Sequence, residues 1–320
     1  MVQVGFHASH EQMTPSALLD AVVRAEGAGF DAAMCSDHFA PWSARQGQSG
    51  YAWSFLGAAL QATSFDMGVV TAPGQRYHPA IAAQAIATLA QMYPGRFWAA
   101  LGSGEASNEH ITGDRWPNKA ERDARLLECV EVIRALLAGD EVDHRGSVIV
   151  DRARLWTLPS QPPPLFGAAV SSTTAGVVGG WADGLITLNQ PLPVLRDVID
   201  AFRAGGGAGK PVYVQVHLSW APTEGEAEAI AFDQWRSNVF SSDVAWNLEL
   251  PEQFDALAKH VSVDDVRGCV IVSSDLAVHR DELMAICDLG VDALMLHHVG
   301  QQQCEFIDTF GERIVPELRR

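Results

Sequence analysis

Short runs of β-branched and apolar residues, each bounded by turn formers, alternate along this chain with longer segments of helical period. That alternation most narrows the available folds, because a strand–helix–strand unit brings its two strands together in parallel through a crossover helix. Residues 2–9 read as a first strand and 15–29 as the helix after it. Pro15 suits an opening turn, while Ala17, Leu18, Ala21, Val22 and Ala25 make an apolar face that Gly27 and Gly29 then terminate. Strands follow at 31–37, 67–71 and 97–101, with helices at 53–62 and 79–92 between them.

The rhythm breaks at about 105–164, which holds one long helix (about 118–138) and a hairpin turning at Arg145-Gly146, and which reads as an insertion after strand four. Strands resume at 165–170, 184–188, 212–220 and 293–298, giving eight. The run 269–273 is a ninth candidate, but it follows a polar, irregular stretch and is expected to lie outside a closed ring. With no repeat and no Pro/Ser linker, the expectation is an α/β protein, one (β/α)8 TIM barrel over residues 1–320.

Composition excludes several classes. An apolar share of 48% is globular. With 22 Lys and Arg against 39 Asp and Glu, the formal charge is -17, which opposes binding to a nucleic-acid backbone or an anionic membrane. The first residues lack a basic, apolar leader and no apolar run would cross a bilayer, so the chain is expected to be cytoplasmic. The five scattered cysteines make neither a CxxC site nor a disulfide framework.

In such barrels the chemistry sits at the carboxyl ends of the strands, so the residues just after each apolar run are the candidates. After strand two comes Ser36-Asp37-His38-Phe39-Ala40-Pro41-Trp42. His38 suits proton exchange near neutral pH, Asp37 could fix its tautomer or bind a ligand, and Trp42 offers a flat face; turn capping and packing would equally explain them. After strand three, Arg76 could meet an anionic ligand or one of many carboxylates. After strand four, Gly102 and Gly104 allow close backbone approach and present Glu105, whose desolvation would raise its pKa. A solvated acidic helix start is the alternative for Glu105 and Glu109. After strand five, Ser171 and Ser172 open a helix and either cap it or meet a phosphate.

No HExxH, GxSxG or P-loop occurs, His7 and His217 are too sparse for a metal site, and His297 and His298 point to opposite faces of a strand, so no metal is expected. Apolar rim strands with one aromatic and one acid favour a planar organic cofactor.

At these residues, SDHFAPW, RYHP, GSGEASNEHITG and the ADG before strand six, the sequence resembles the luciferase-like oxidoreductases, in the branch around the coenzyme F420-dependent glucose-6-phosphate dehydrogenases. The likeness runs through almost the whole chain. It implies a barrel holding a flavin or 5-deazaflavin ring, with hydride passing between that ring and a small organic substrate: an alcohol, a carbonyl or an activated alkene. By motif, His38 would exchange the substrate hydroxyl proton, Trp42 would hold the intermediate and Glu105 would protonate the ring. Asp37, Thr71, Gly104, Asn108 and Val170 would contact the cofactor, Ser171 and Ser172 its phosphate. A non-proline cis peptide would fall at Val69 and Val70 behind the ring.

The resemblance also implies cations that grip a sugar phosphate at the strand-six loop and near residue 268, where this chain reads Leu188-Asn189-Gln190-Pro191 and Gly268-Cys269. The expectation is therefore that glucose 6-phosphate is not the substrate. FMN is slightly favoured over F420, leaving open an FMN-dependent monooxygenase as well as a dehydrogenase. Arg115, Lys119 and Arg122 are candidates for an F420 polyglutamate tail. A homodimer is the expected assembly, and a catalytically silent cofactor-binding barrel is the alternative to an enzyme.

Overall fold

The computed structural model describes residues 1–319. In chain order, β1 (Gln3–Ala8), α1 (Pro15–Gly27), β2 (Ala32–Ser36), α2 (Ala52–Ala62), β3 (Asp66–Thr71), α3 (Pro79–Met92) and β4 (Phe97–Leu101) make the first strand–helix cycles. There follow α4 (Ala106–Glu109), α5 (Lys119–Leu137), the antiparallel pair β5 (Val142–Arg145) and β6 (Ile149–Ala153), then β7 (Leu165–Ala168), α6 (Ser172–Trp181), β8 (Leu185–Leu188), α7 (Leu192–Phe202) and β9 (Val212–Ser219). The last part holds α8 (Glu224–Trp235), α9 (Ser242–Ala245), α10 (Pro251–Leu257), α11 (Val263–Arg267), β10 (Ile271–Val272), α12 (Leu276–Cys287), β11 (Ala293–His298), α13 (Gln303–Arg313) and α14 (Val315–Leu318).

Strands β1, β2, β3, β4, β7, β8, β9 and β11 pair in parallel in that order, and β11 returns to β1, closing a (β/α)8 barrel. The two residues of β10 pair with β9 only, at Leu218 and Ser219, and stand outside the ring, as the irregular stretch before them predicts. Within 105–164 the long helix begins at an Asn118–Glu121 capping box, a reciprocal bond pair that satisfies two free backbone N–H groups. This helix packs on α3 and so serves as the crossover of its own cycle. The β5–β6 hairpin, α4 and the turns around them are the additional parts.

Side chains alternate across each strand, so every second residue faces the barrel axis. The lower interior is filled by Met34, Trp98, Phe166, Ile186 and Met295, with the Trp98, Phe166 and Tyr213 rings 4.8–5.4 Å apart. Gly68 is obligatory in this layer, because a Cβ there would stand 2.0 Å from the Trp98 ring. The intervening residues, such as Phe6, Val69 and Leu101, face outward into the larger core between strands and helices. One step further up the axis the interior turns polar.

Candidate active site

The polar layer lines one cavity of about 590 Å³ at the carboxyl ends of the strands, a size that suits a cofactor with a small substrate. Its walls are apolar at Val70, Ala168, Val170 and Leu188, and polar at His38, Glu105 and the barrel floor.

His38 follows β2 and is held by a residue that sequence reasoning passed over. Its Nδ1 lies 2.6 Å from Oε1 of Glu11, which sits in the loop after β1, while its Nε2 lies 3.9 Å from Oε2 of Glu105. Glu11 is nearly inaccessible, and the Ser9 hydroxyl donates to its other oxygen at 2.6 Å. Burial alone would drive the imidazole toward its neutral form, but the Glu11 carboxylate overrides it and pushes the His38 pKa up to about 9. The partnership works in reverse on Glu11: burial raises its carboxyl, the charge and hydrogen bond of His38 outweigh that, and the net direction is well down. For Glu105 burial dominates and raises the carboxyl, with His38 opposing. Trp42 stands edge-on to His38 at 5.2 Å, backed by Phe254 at 5.3 Å.

Behind this trio lies a network that explains Asp37 and Arg76. The Asp37 carboxylate is fully enclosed and accepts from Thr71 Oγ1 at 2.9 Å, Tyr77 O–H at 3.1 Å and Trp53 Nε1 at 3.2 Å. The Arg76 guanidinium donates to the Asp37 carbonyl at 2.7 Å and stands 3.6 Å from both the Asp37 and Glu109 carboxylates. Of the two partners open to Arg76, carboxylates of the protein itself are the ones it meets. Glu109 is only 1% exposed, so the solvated helix start considered for it is not what forms. Asn108 accepts from the Phe39 backbone N–H at 2.8 Å and donates to Glu105 at 3.3 Å, tying the loops after β2 and β4 together.

Several expectations are corrected. Asp37 and Thr71, expected to contact a cofactor, both line the cavity, but their polar side-chain atoms are bonded to each other and to Trp53 and Tyr77. Val69 faces the outer core and lies off the cavity, whereas Val70 lines it. Every peptide bond among the described residues is trans, so the cis bond expected at Val69–Val70 is not present. Ser171 caps α6 by accepting from Thr174 N–H at 3.3 Å; neither it nor Ser172 lines the cavity, where Val170 and Thr174 do. Gly104, with φ of +84°, does line it, next to Glu105. Among the tail candidates, Arg115 is paired with Glu121 at 2.9 Å, Lys119 with Asp123, and Arg122 is buried over the Trp116 ring.

The floor is the second feature missed. His7, His297 and His217 belong to β1, β11 and β9, adjacent only because the barrel closes, and His297 and His217 are register partners. The His7 and His297 rings are 4.4 Å apart and the His297 and His217 rings 5.3 Å. Burial holds all three neutral, His7 and His217 at about 3. Among the described residues no group of His, Cys, Asp and Glu is placed to hold a metal ion.

Residues 1–293 match the family described as luciferase-like monooxygenase. The chain belongs to that family. It is 33% identical to an F420-dependent glucose-6-phosphate dehydrogenase of Nakamurella multipartita, over 99% of this chain and 97% of the relative. Among solved structures it superposes on an F420-dependent secondary alcohol dehydrogenase in complex with an F420–acetone adduct, with a TM-score of 0.93, 30% identity, and coverage of 100% of this chain and 99% of that one. A riboflavin lyase with modified FMN, at 16% identity and a TM-score of 0.73 over 100% of this chain and 91% of that one, shares the fold.

This family member is a flavin- or deazaflavin-dependent oxidoreductase. The expectation that glucose 6-phosphate is excluded is overturned, since relatives 30–33% identical over nearly all of this chain carry that activity in their names. Two loops without cations were too narrow a basis to exclude a substrate. No helix among the described residues is long and apolar enough to cross a membrane.

Proposed function

We propose that this protein is an F420-dependent dehydrogenase that oxidises a hydroxyl-bearing carbon of a small organic molecule, and that works in reverse on the carbonyl. The slight preference for FMN drawn from the sequence gives way here, because the full-length relatives at 30% identity and above are named for F420. The observation that carries the reading is the His38–Glu11 contact of 2.6 Å beside Glu105, facing an apolar-walled cavity large enough for a flat ring. Val70, Gly104 and Val170 would hold such a ring between them. Bound there, F420 supplies a hydride acceptor.

The chain's own part is proton handling. His38 Nε2 takes the hydroxyl proton, and Glu11, at Nδ1, fixes the ring and balances the imidazolium that results. Glu105, with its carboxyl raised by burial, stands 3.9 Å from Nε2 and is the second group there able to exchange a proton. Trp42 closes one side and Asp37 with Arg76 keeps the His38 loop rigid. As a further part of the proposal, the chain pairs as a homodimer; Trp156 and Ile149, 90% and 60% exposed, are apolar surface that a second copy would cover. Light scattering reads that mass directly.

The deciding experiment titrates F420 and FMN separately by fluorescence quenching, then assays turnover with glucose 6-phosphate and with propan-2-ol. F420 binding with turnover of either alcohol supports the reading. Tight binding of FMN alone, or F420 binding without turnover on any alcohol or sugar phosphate, overturns it, the second outcome being the silent barrel.

A further inference from the structure

The cavity floor carries a hydrogen-bond chain whose polarity can be worked out atom by atom. The Gln12 amide nitrogen donates to the Val299 carbonyl, which can only accept, so the oxygen of Gln12 is the end facing His297 Nε2 at 2.9 Å. His297 therefore carries its proton on Nε2 and accepts at Nδ1. The group 3.2 Å from that Nδ1 must be a donor, which fixes the Gln215 amide nitrogen there. The same nitrogen lies 3.1 Å from His217 Nε2, so its second hydrogen is directed at that atom and His217 holds its own proton on Nδ1. Trp235 seals the pair, with its ring 4.5 Å from His217 and 5.0 Å from His297.

Among the described residues of this chain two functions have no hydrogen-bond partner: Gln215 Oε1, an acceptor, and His217 Nδ1–H, a donor. Gln215 and His217 are 8% and 7% exposed, and what exposure they have is to the cavity they line with His38 and Glu105. Both atoms are open to the cavity, and a hydroxyl suits an acceptor beside a donor, since it donates and accepts through the same oxygen.

We infer that Gln215 and His217 form an uncharged subsite that binds a second hydroxyl of the substrate, next to the carbon that is oxidised. This rests on the proposed dehydrogenase reading and narrows its substrate to polyhydroxylated alcohols. The neutrality of the floor histidines agrees with it, since a charged floor would favour an ionic group.

The test compares butane-2,3-diol with butan-2-ol, which differ by one hydroxyl, using the F420-loaded protein. The expected result is a kcat/KM at least tenfold higher for the diol, arising in KM, and collapse of that ratio toward one in Gln215→Leu. Equal kcat/KM for the two alcohols, or a ratio that survives Gln215→Leu, overturns the subsite. So does a tenfold loss of F420 affinity in that variant with the two alcohols alike, because the floor would then meet the cofactor. A second measurement covers a variant that fails to fold. Nitrogen-15 NMR of histidines in the unaltered, cofactor-free protein should show His217 as the Nδ1–H tautomer, its signal moving with butane-2,3-diol and not with butan-2-ol. An Nε2–H tautomer, or no response to the diol, refutes the subsite. Absence of any F420 turnover defeats the dehydrogenase reading instead, and leaves this NMR result standing on its own.

Discussion

Replacing Glu11 by Gln isolates the interaction that sets the acid-base character of the site. His38 moves from its ordinary 6.5 to about 9 in the folded protein. That rise corresponds to on the order of 3 kcal/mol favouring the imidazolium. Burial opposes the shift and Glu11 supplies most of what overcomes it. Glu11→Gln keeps size and hydrogen-bonding capacity but removes the charge, so burial prevails and the His38 pKa should fall to or below 6.5. Alcohol oxidation needs the neutral imidazole, and its kcat/KM in the wild type should climb with pH until it levels above about 9. In Glu11→Gln the levelling point should move down by at least ~2 units, and carbonyl reduction, which needs the imidazolium, should fall about tenfold or more at pH 8.

The same pair gives a stability signature with a definite sign. A histidine whose folded pKa is raised contributes stability that is complete below the unfolded value of 6.5 and disappears as pH rises through about 9. Glu11, whose carboxyl is lowered, contributes above the ordinary carboxylate range and loses that contribution as pH falls through it. Breaking the buried pair should therefore cost about 3–5 kcal/mol near pH 6 and much less above pH 9. Urea melts at both pH values, with an NMR titration of His38 in the cofactor-free protein, measure this. If the pH–rate profiles of wild type and Glu11→Gln coincide, or if His38 titrates at 6.5 in the wild type, the assignment of Glu11 as the controlling group is wrong.

Arg76→Met should destabilise the protein by about 3–5 kcal/mol in denaturant melts, because it strands the enclosed carboxylates of Asp37 and Glu109 without their shared cation. Glu105→Gln should slow turnover by roughly 10²-fold or more with little change in the F420 dissociation constant; equal loss of both would mark Glu105 as a binding residue. Gly68→Ala should cost about 1–3 kcal/mol, because its methyl meets the Trp98 ring inside a filled layer, and near-ultraviolet circular dichroism of that tryptophan should change with it.

What could be read from the chain, and what could not, divides along one physical line. Periodicity is local, and it placed the barrel strands and the long helix α5, while the polar, irregular stretch before β10 marked that run as lying outside the ring. Residues immediately after strands were equally legible, so His38, Trp42 and Glu105 were found by asking what each strand presents at its carboxyl end. Applied to the first strand, the same question would have named Ser9, His10 and Glu11. That loop carries no motif of its own, and Glu11 stands out only once its contact with His38 is seen.

The other omissions have no local signal. His7, Gln215, His217 and His297 are unremarkable inward positions of strands far apart in sequence, and only closure of β9 and β11 onto β1 makes them one layer. Side-chain direction behaves in the same way. A motif can say that Asp37 is present beside His38, but not that Thr71, Trp53 and Tyr77 will consume its carboxylate. Chemistry that depends on which lone pairs remain free is decided by packing. Reaction type was therefore legible from motifs, while the free Gln215 and His217 atoms that face the cavity emerge only after every other bond in their chain has been assigned.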